Sequence, residues 1–505
     1  MQNTNTQAWY AAFKAKDARF DGRFFIGVSS TGIYCRPICK ARLPRAENCT
    51  YYESAAAAEH AGFRPCLLCR PELAPGNAPV DASLSLAHRI ARLLEENCSS
   101  GQHLDQCLQK LGYSDRHIRR AFTAEYKLAP VQYLQTCRLL LAKNLLTDTQ
   151  LTVTELAMAA GFESLRRFNE LFKKQYGLAP TDLRRQATTA RGSQTQLTLG
   201  LGYRPPYPWQ QMLTFLADRA IPGLELVSQT EYARTVRLVS AGQKDVNGWI
   251  RVKQRPQKNA LAVTLDSALL PVLPQVLAKT RQMFDLSCDP AIIDETLSAM
   301  NTVRPGLCVP GTRLPGCLDP FEMSVRAVLG QQQKMERAQS QAARLLAALG
   351  KPLATGLAGL THVFPSPAEI LSLQDQIFDY LGPLGIAESH AKTILALARA
   401  FVIGQLDFGP GAQAEVEMQK LLSIDGIGTE TAQYIAIRAL GWPDAFPHAD
   451  CGIKKALAPL AESEIRHRAE AWRPWRSYAT INLWNALQVQ SAKQNQAPIK
   501  LPSSL

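Results

Sequence analysis

Four cysteines carry the first recognisable chemistry of the chain: Cys35 and Cys39 in a C-x3-C pair and, after 26 intervening residues, Cys66 and Cys69 in a C-x2-C pair. Two short-spaced pairs folded together by a loop make a tetrahedral thiolate cage, the donor set that zinc takes in a closed site. The surrounding sequence, TGIYCRPICKAR and AGFRPCLLCRPE, carries more positive charge than a purely structural zinc knot requires. Arg36, Lys40, Arg42, Arg45, Arg64 and Arg70 lie close enough in sequence to position phosphates, which predicts chemistry beside DNA. A second constellation lies in LLSIDGIGTETAQYIAIRAL. There Gly426 and Gly428 allow a tight hairpin and, with Thr429 opening the next helix, present unencumbered amides to a phosphate. An acidic residue, Asp450, follows in FPHADCGIKK; taken alone it reads equally well as the N-cap of a helix starting at Cys451.

Composition limits the partners. A chain of 505 residues is too long for one core, and roughly 100–200 residues per domain gives about three to four domains. The formal net charge of +13 favours a polyanion, here double-stranded DNA. No run approaches the ~18 uninterrupted apolar residues of a membrane span, so no membrane partner is expected. The segment MQNTNTQAWYAAFKAKDARF has no apolar h-region or small-residue cleavage site, which predicts a cytoplasmic protein. Twelve cysteines, unevenly spaced with four clustered, suit a reducing compartment with one metal site better than a disulfide framework. The other eight read as small buried hydrophobes.

Several units must carry these groups, and the expected fold is multidomain, mainly α with α+β parts. Residues 1–78 form a small zinc-bound α/β domain, in which segments such as GRFFIGVSSTGIY read as strands around the cage. Residues 82–186 form a tandem helix-turn-helix domain. A polar linker, 187–196, leads to a β-containing subdomain at 197–275 with strand-like LELVSQ, TVRLVS and LAVTLD. An all-α core containing the helix-hairpin-helix covers 276–490, and 491–505 is a tail.

Within the second block LDQCLQKLGYSDRHIRRAFTAEYKLAPVQYL and VTELAMAAGFESLRRFNELFKKQYGLAPTDL repeat one pattern with a period of about 50 residues. Each unit turns at Gly112 or Gly161 and starts its second helix at Ser114 or Ser164, a good N-cap. The exposed faces offer Arg116, His117, Arg119 and Arg120, then Glu163, Arg166, Arg167 and Asn169, to a major groove. The alternative is a solvated basic face on an ordinary helical bundle.

Three resemblances sharpen these expectations. Tandem units sharing the helix QYLQTCRLLLAKNLL are the pattern of AraC-type regulators, which the second block resembles; this implies promoter binding and RNA polymerase as a partner. Residues 8–76 resemble the N-terminal domain of the Ada proteins, sensors of methylated DNA, through DGRFFIGV, TGIYCRPIC, ENCTYY and GFRPCLLC. That resemblance implies one Zn2+ on Cys35, Cys39, Cys66 and Cys69, with Cys35 accepting a methyl group from a methylphosphotriester. Zinc would hold the sulfur as thiolate at neutral pH. Methylation would move the site from about −2 to about −1 and lessen its repulsion from the phosphate backbone. The thioether does not reverse, so the chain would act stoichiometrically. A zinc knot that only holds the fold stays the alternative. No PCHR-type motif occurs, so O6-alkylguanine transfer is not expected.

From about Leu197 to Gln490 the chain resembles the DNA-3-methyladenine glycosylase II family (AlkA) of the helix-hairpin-helix superfamily, through YRPPYPWQQMLTFLADRAIPGLE, LPGCLDPFEMSVRAVLGQQ and WRPWRSYA. The resemblance implies Asp450 as the catalytic carboxylate and Gln331 and Gln332 in the loop that enters DNA. It places Tyr434 and Trp484 on the pocket that receives the flipped base, core packing being their alternative. A monovalent cation at the hairpin is a further candidate ligand. Glu430 stands where lyase-competent relatives carry lysine and others commonly tryptophan, so the enzyme should be monofunctional with an altered pocket wall. The whole reads as a monomeric alkylation-damage protein; the competing reading is a transcription regulator whose third block is a non-catalytic DNA clamp.

Overall fold

The computed structural model describes residues 2–75, 86–99, 108–109, 111–186, 196–240 and 242–495. The first block is built on β1 (Phe25–Val28), β2 (Ile33–Cys35), β3 (Cys49–Tyr52) and β4 (Arg64–Pro65), in the order β3-β1-β2-β4. β1 and β2 form a hairpin that sets Ile26 opposite Cys35, and Gly32 takes the left-handed position of its turn at φ +65°. β2 and β4 run parallel with Tyr34 opposite Pro65, which brings Cys35 beside Cys66. α1 (Gln2–Ala15) and α2 (Ala55–His60) cover the two faces. Phe13, Phe24 and Ile26 fill one side, Phe25, Tyr34 and Ala58 the other.

The second block comprises α3 (Leu86–Glu96), α4 (Asp115–Tyr126), α5 (Pro130–Asp148), α6 (Val153–Ala159), α7 (Leu165–Tyr176) and α8 (Pro180–Gln186). Gly112 and Gly161 lie at φ +73° and +86° in the expected turns. Ser114 and Ser164 cap α4 and α7 by accepting from the amides of His117 and Arg167. Ile118, Phe122 and Tyr126, like Phe168, Phe172 and Tyr176, recur at helical spacing and point inward, which leaves the polar face of each second helix outside. The first helix expected in the first unit, over Leu104–Leu111, lies largely outside the described residues. So do Cys107, most of the 187–196 linker and most of the 491–505 tail.

The third block opens with an antiparallel sheet of β5 (Gln196–Gly202), β6 (Glu225–Val227), β7 (Glu231–Val239), β8 (Asp245–Arg255) and β9 (Ala260–Asp266), ordered β5-β9-β8-β7-β6. α9 (Trp209–Ala217) lies between β5 and β6 in the chain, and from α10 (Leu273–Met283) onward the block is helical except for one short antiparallel pair, Lys351–Pro352 with His362–Val363, which the expected all-α core did not include. Its site-bearing helices are α11 (Pro290–Leu297), α12 (Pro320–Leu329), α13 (Thr429–Ile435), α14 (Cys451–Ala456) and α15 (Arg476–Asn495). Among the described residues no helix is long and apolar enough to cross a membrane.

Buried charge and shared core join the blocks. The side chains of Lys143 in α5 and Glu72, 1% and 2% exposed, form an ion pair. Arg70 reaches Asp148 at 2.6 Å and Asn144 and Thr147 at 2.9 Å. Arg23 pairs with Asp289, the N-cap of α11. One apolar cluster runs from Leu139 through Phe172 and Leu199 to Trp475, so the second helix-turn-helix unit shares a core with the third block. The first unit keeps a separate core around Ile90, Phe122 and Tyr133.

One buried carboxylate makes the stability of the first block depend on pH. Glu59, 4% exposed, accepts from Tyr34 Oη at 2.9 Å, and burial pushes its carboxyl up to about 8. The native state therefore holds a proton that the unfolded chain, with a carboxyl near ~4.3, releases. The stabilisation is complete below the unfolded value and is lost as pH rises through the folded one. Glu59→Gln keeps the acceptor for Tyr34 and has no proton to lose. Its melting temperature is expected to match wild type near about pH 4 and to exceed it by several degrees near about pH 9, measured by calorimetry.

Candidate active sites and DNA interface

The four cage sulfurs lie within 4.8 Å of one another. Zinc bound tetrahedrally at ~2.3 Å needs sulfurs about 3.8 Å apart, so donor type, number and spacing fit a closed zinc site. Cys35, Cys39 and Cys66 are buried and Cys69 is half-buried. A turn in which Cys39 N donates to Arg36 O at 3.1 Å lays the second ligand beside the first, and Cys66 N donating to Tyr34 O at 3.0 Å fixes the third. Arg36 N donates to Cys69 Sγ at 3.3 Å. The four sulfurs are close enough for the ionisation of one to depend on the others. A soft divalent cation replaces the thiol protons of such a cluster.

In the third block Asp450 caps α14. Its Oδ1 accepts from Ile453 N at 3.0 Å and from Trp484 Nε1 at 2.9 Å. Both bonds fall on one oxygen, so the cap and a reactive carboxylate are compatible roles. The Tyr434 ring lies 5.9 Å from Trp484 at 50°, and Phe215 stacks on Trp484 at 6.5 Å. These rings form an aromatic wall beside the carboxylate. Arg438 fixes Tyr434: its Nη1 donates to the phenol oxygen at 2.9 Å and its Nε to Pro315 O at 2.6 Å. Burial pushes the Tyr434 phenol up, but Arg438, Arg219 and Arg326 together outweigh it and hold the phenol below its ordinary value.

The hairpin turns tightly at Gly426. Gly426 lies at φ +87°, and a Cβ there would meet Thr393 Oγ1 at 2.0 Å, so no other residue fits. Gly428, the N-cap of α13, and Thr429 are exposed, which turns the first amides of the helix to solvent.

Four family models match in chain order. They are the metal binding domain of Ada over residues 8–72, a helix-turn-helix domain over 107–186, the AlkA N-terminal domain over 198–319, and the HhH-GPD superfamily base excision DNA repair protein over 325–474. A Mycobacterium tuberculosis protein named probable bifunctional transcriptional activator/DNA repair enzyme AlkA is 34% identical over 488 residues, 95% of this chain and 96% of that one. The chain belongs to this bifunctional AlkA family. The DNA-3-methyladenine glycosylase 2 of Escherichia coli is 34% identical over 284 residues, 56% of this chain and 95% of that protein. The bifunctional transcriptional activator/DNA repair enzyme AdaA of Bacillus subtilis is 31% identical over 183 residues, 36% of this chain and 83% of its own length.

In this AlkA-family chain the residues expected to touch DNA fall into two groups. Lys40, Arg42 and Arg45 are exposed near the cage, and Arg116, Arg119, Arg166 and Arg167 are exposed on α4 and α7. Arg119 pairs with Asp115 at 2.8 Å and Arg166 with Glu170 at 2.9 Å, exposed i,i+4 pairs weak enough for DNA to replace. Arg36 departs from the expectation. It is 4% exposed, with Nε and Nη2 on Asp21 and Nη1 on Cys69 O, and it braces the cage instead of reaching a phosphate. Arg70 is turned inward in the same way. The carboxylates that hold them, Asp21 and Asp148, approach from other segments, and no local pattern reveals that.

Gln331 also differs from an open probe: its Nε2 donates to Gly426 O at 2.8 Å and to Thr431 Oγ1 at 2.9 Å, tying its loop to the hairpin. Gln332 is exposed at φ +52°, a strained position for a non-glycine residue. Glu430 is half-buried. Its Oε1 accepts from Ala449 N at 3.4 Å, and its Oε2 is shielded from solvent with no hydrogen-bond partner. Cys451 is exposed, unlike the buried hydrophobe expected of a cysteine outside the cage.

Two residues went unread in the sequence. A Cβ at Gly452 would meet Asp450 Oδ1 at 2.9 Å and Trp484 Cδ1 at 3.2 Å, so glycine is what lets the indole reach the carboxylate. A glycine in the first turn of a predicted helix was the available signal. Gln433 accepts from Phe446 N at 2.9 Å, a contact to a loop that only the fold brings near.

Metal analysis of the purified chain is expected to find about one zinc per chain, and Cys66→Ser to lose most of it, because three remaining thiolates leave the tetrahedron open.

Proposed function

We propose that the chain is a cytoplasmic, monomeric alkylation-damage protein that senses methylated DNA, activates transcription and excises alkylated bases. The observation that carries the repair half is the division of the Asp450 carboxylate: Oδ1 is committed to Ile453 N and Trp484 Nε1, and Oδ2 makes no hydrogen bond among the described residues. In the excision step the amides at Gly426, Gly428 and Thr429 hold a backbone phosphate. The damaged nucleotide turns out of the duplex. Its base, already cationic in N3-methyladenine, lies against Tyr434 and Trp484. As the N-glycosidic bond breaks, its electron pair leaves with the base, and Asp450 stabilises the positive charge on the sugar and orients the water that completes hydrolysis. The charge already on the base makes it a good leaving group without a general acid. Glu430 supplies no amine, which supports a monofunctional enzyme.

Cys35, Cys39, Cys66 and Cys69 would hold one zinc ion, which would keep their sulfurs ionised at neutral pH. Cys35 Sγ then attacks the methyl carbon of a methylphosphotriester: the S–C bond forms, the C–O bond breaks, and its electron pair stays on the phosphate as an ordinary diester. The site loses one negative charge and is repelled less by the backbone. The basic faces of α4 and α7 read the promoter, with RNA polymerase as the partner. A monovalent cation at the hairpin belongs to the same reading.

On duplex DNA containing 3-methyladenine, the full chain is expected to produce abasic sites, and Asp450→Asn to lower the single-turnover rate on the order of 100-fold or more. A wild type that forms none would favour the non-catalytic clamp. After incubation with methylated DNA, mass spectrometry is expected to find Cys35 heavier by one methyl group; an unmodified Cys35 would remove its role as acceptor.

A further inference from the structure

Asp450 stands at the end of a short loop, Phe446–Asp450, whose internal hydrogen bonds, His448 N to Phe446 O at 2.9 Å and Asp450 N to Pro447 O at 3.0 Å, make it a compact unit. Two side chains of α13 hold that unit from outside. Gln433 Oε1 accepts from Phe446 N at 2.9 Å, at the start of the loop, and Glu430 Oε1 accepts from Ala449 N at 3.4 Å, one residue before the aspartate. Residues three apart share one face of a helix, so both acceptors arise from a single surface of α13. The same helix begins at Gly428, in the hairpin. Gln331 bonds to Gly426 O and Thr431 Oγ1 on the same turn.

We infer that Glu430 and Gln433 are positioning residues for the excision reaction: together they clamp the aspartate loop to the hairpin helix, so that the amides gripping the phosphate and the carboxylate facing the sugar form one rigid gauge. Neither touches the substrate; both act through the backbone of Phe446 and Ala449. This rests on the excision reading given above. The chemistry of the acceptors supports the assignment. Both loop amides point at side-chain oxygens, and an amide oxygen or a carboxylate serves equally well. The charge of Glu430 is therefore not what the clamp uses. The position demands an acceptor of that length, which a lysine or a tryptophan cannot supply.

The experiment uses the full-length chain. Single-turnover excision is measured alongside binding to a duplex carrying a stable abasic-site analogue, for wild type, Glu430→Ala, Glu430→Gln, Gln433→Leu and the double variant Glu430→Ala with Gln433→Leu. The double variant is expected to lose excision rate on the order of 10- to 100-fold, as a displaced reacting group does, while analogue binding changes less than about twofold. Glu430→Gln is expected to retain the wild-type rate, because its amide oxygen still accepts from Ala449 N. Amide hydrogen exchange, read without any substrate, is expected to speed up at Phe446 and Ala449 in the double variant and to stay unchanged at Ile453. Unaltered excision or unaltered exchange in the double variant would overturn the clamp, and so would a parallel loss of rate and binding. A wild type without excision activity would instead overturn the reading of the third block, and the exchange result would still decide the clamp.

Discussion

A carboxylate can cap a helix and face a reaction centre at once only if its two oxygens divide the tasks. Asp450 has the arrangement such a division requires, with the Ile453 amide and the Trp484 indole both on Oδ1. Several features of the third block follow from that division. Gly452 lacks a Cβ where one would collide with both partners. Trp484 must arrive from α15 with its ring edge toward the carboxylate, and so its face is set against Tyr434 and Phe215. Arg438 then fixes Tyr434 from the far side, using carbonyls of the Pro315–Gly316 turn. The aromatic wall and the orientation of the carboxylate are thus consequences of one hydrogen-bonding choice.

The cage depends on a different constraint, the handling of charge next to its ligands. The residue after Cys35 and the residue after Cys69 are both arginines, and both turn inward. Arg36 is held by Asp21, and Arg70 by Asp148, Asn144 and Thr147 of α5. Beside Arg70, Glu72 meets Lys143 almost out of solvent; burial raises its carboxyl, yet Lys143 and Arg70 outweigh burial and hold it below the ordinary value. Removing one partner from such a pair costs about 3–5 kcal/mol, because the other is left charged and unpaired. Of the two ligand neighbours that looked like a phosphate-binding rim, Arg36 therefore braces the first block internally and Arg70 joins it to the helix-turn-helix block. The exposed rim consists of Lys40, Arg42 and Arg45.

Much of this was legible in the chain. Cysteine spacing located the cage, the paired turns Gly112–Ser114 and Gly161–Ser164 located α4 and α7, and alternation located β6, β7 and β9. In the sheet of the third block, β5 and β8 were missed for identifiable reasons. In β5, Gly200 and Gly202 dilute the strand signal, and Gly202 is there because a Cβ would strike Leu73 O at 2.0 Å. β8 ends in the basic, polar VKQR, which does not read as half-buried surface, although nine of its residues pair with β7. At the sites, the residue types that do the chemistry were visible, and those that orient them were not. Gln433 and Asp21 act on partners 13 and 15 residues away in sequence, and Arg438 is itself anchored on Pro315 O; only the closed fold sets those pairings.

The apolar cluster that begins in α5 and runs without interruption into the third block divides the chain differently from its chemistry. The zinc-cage, helix-turn-helix and glycosylase blocks are distinct in sequence, but Leu139 and Phe172 on one side of the polar stretch and Leu197 and Leu199 on the other belong to one buried cluster. A recombination event or an engineered cut at that stretch would separate the blocks at the most convenient place in the sequence and at the worst place in the core. Descent of the arrangement as an unbroken unit is what such a seam favours.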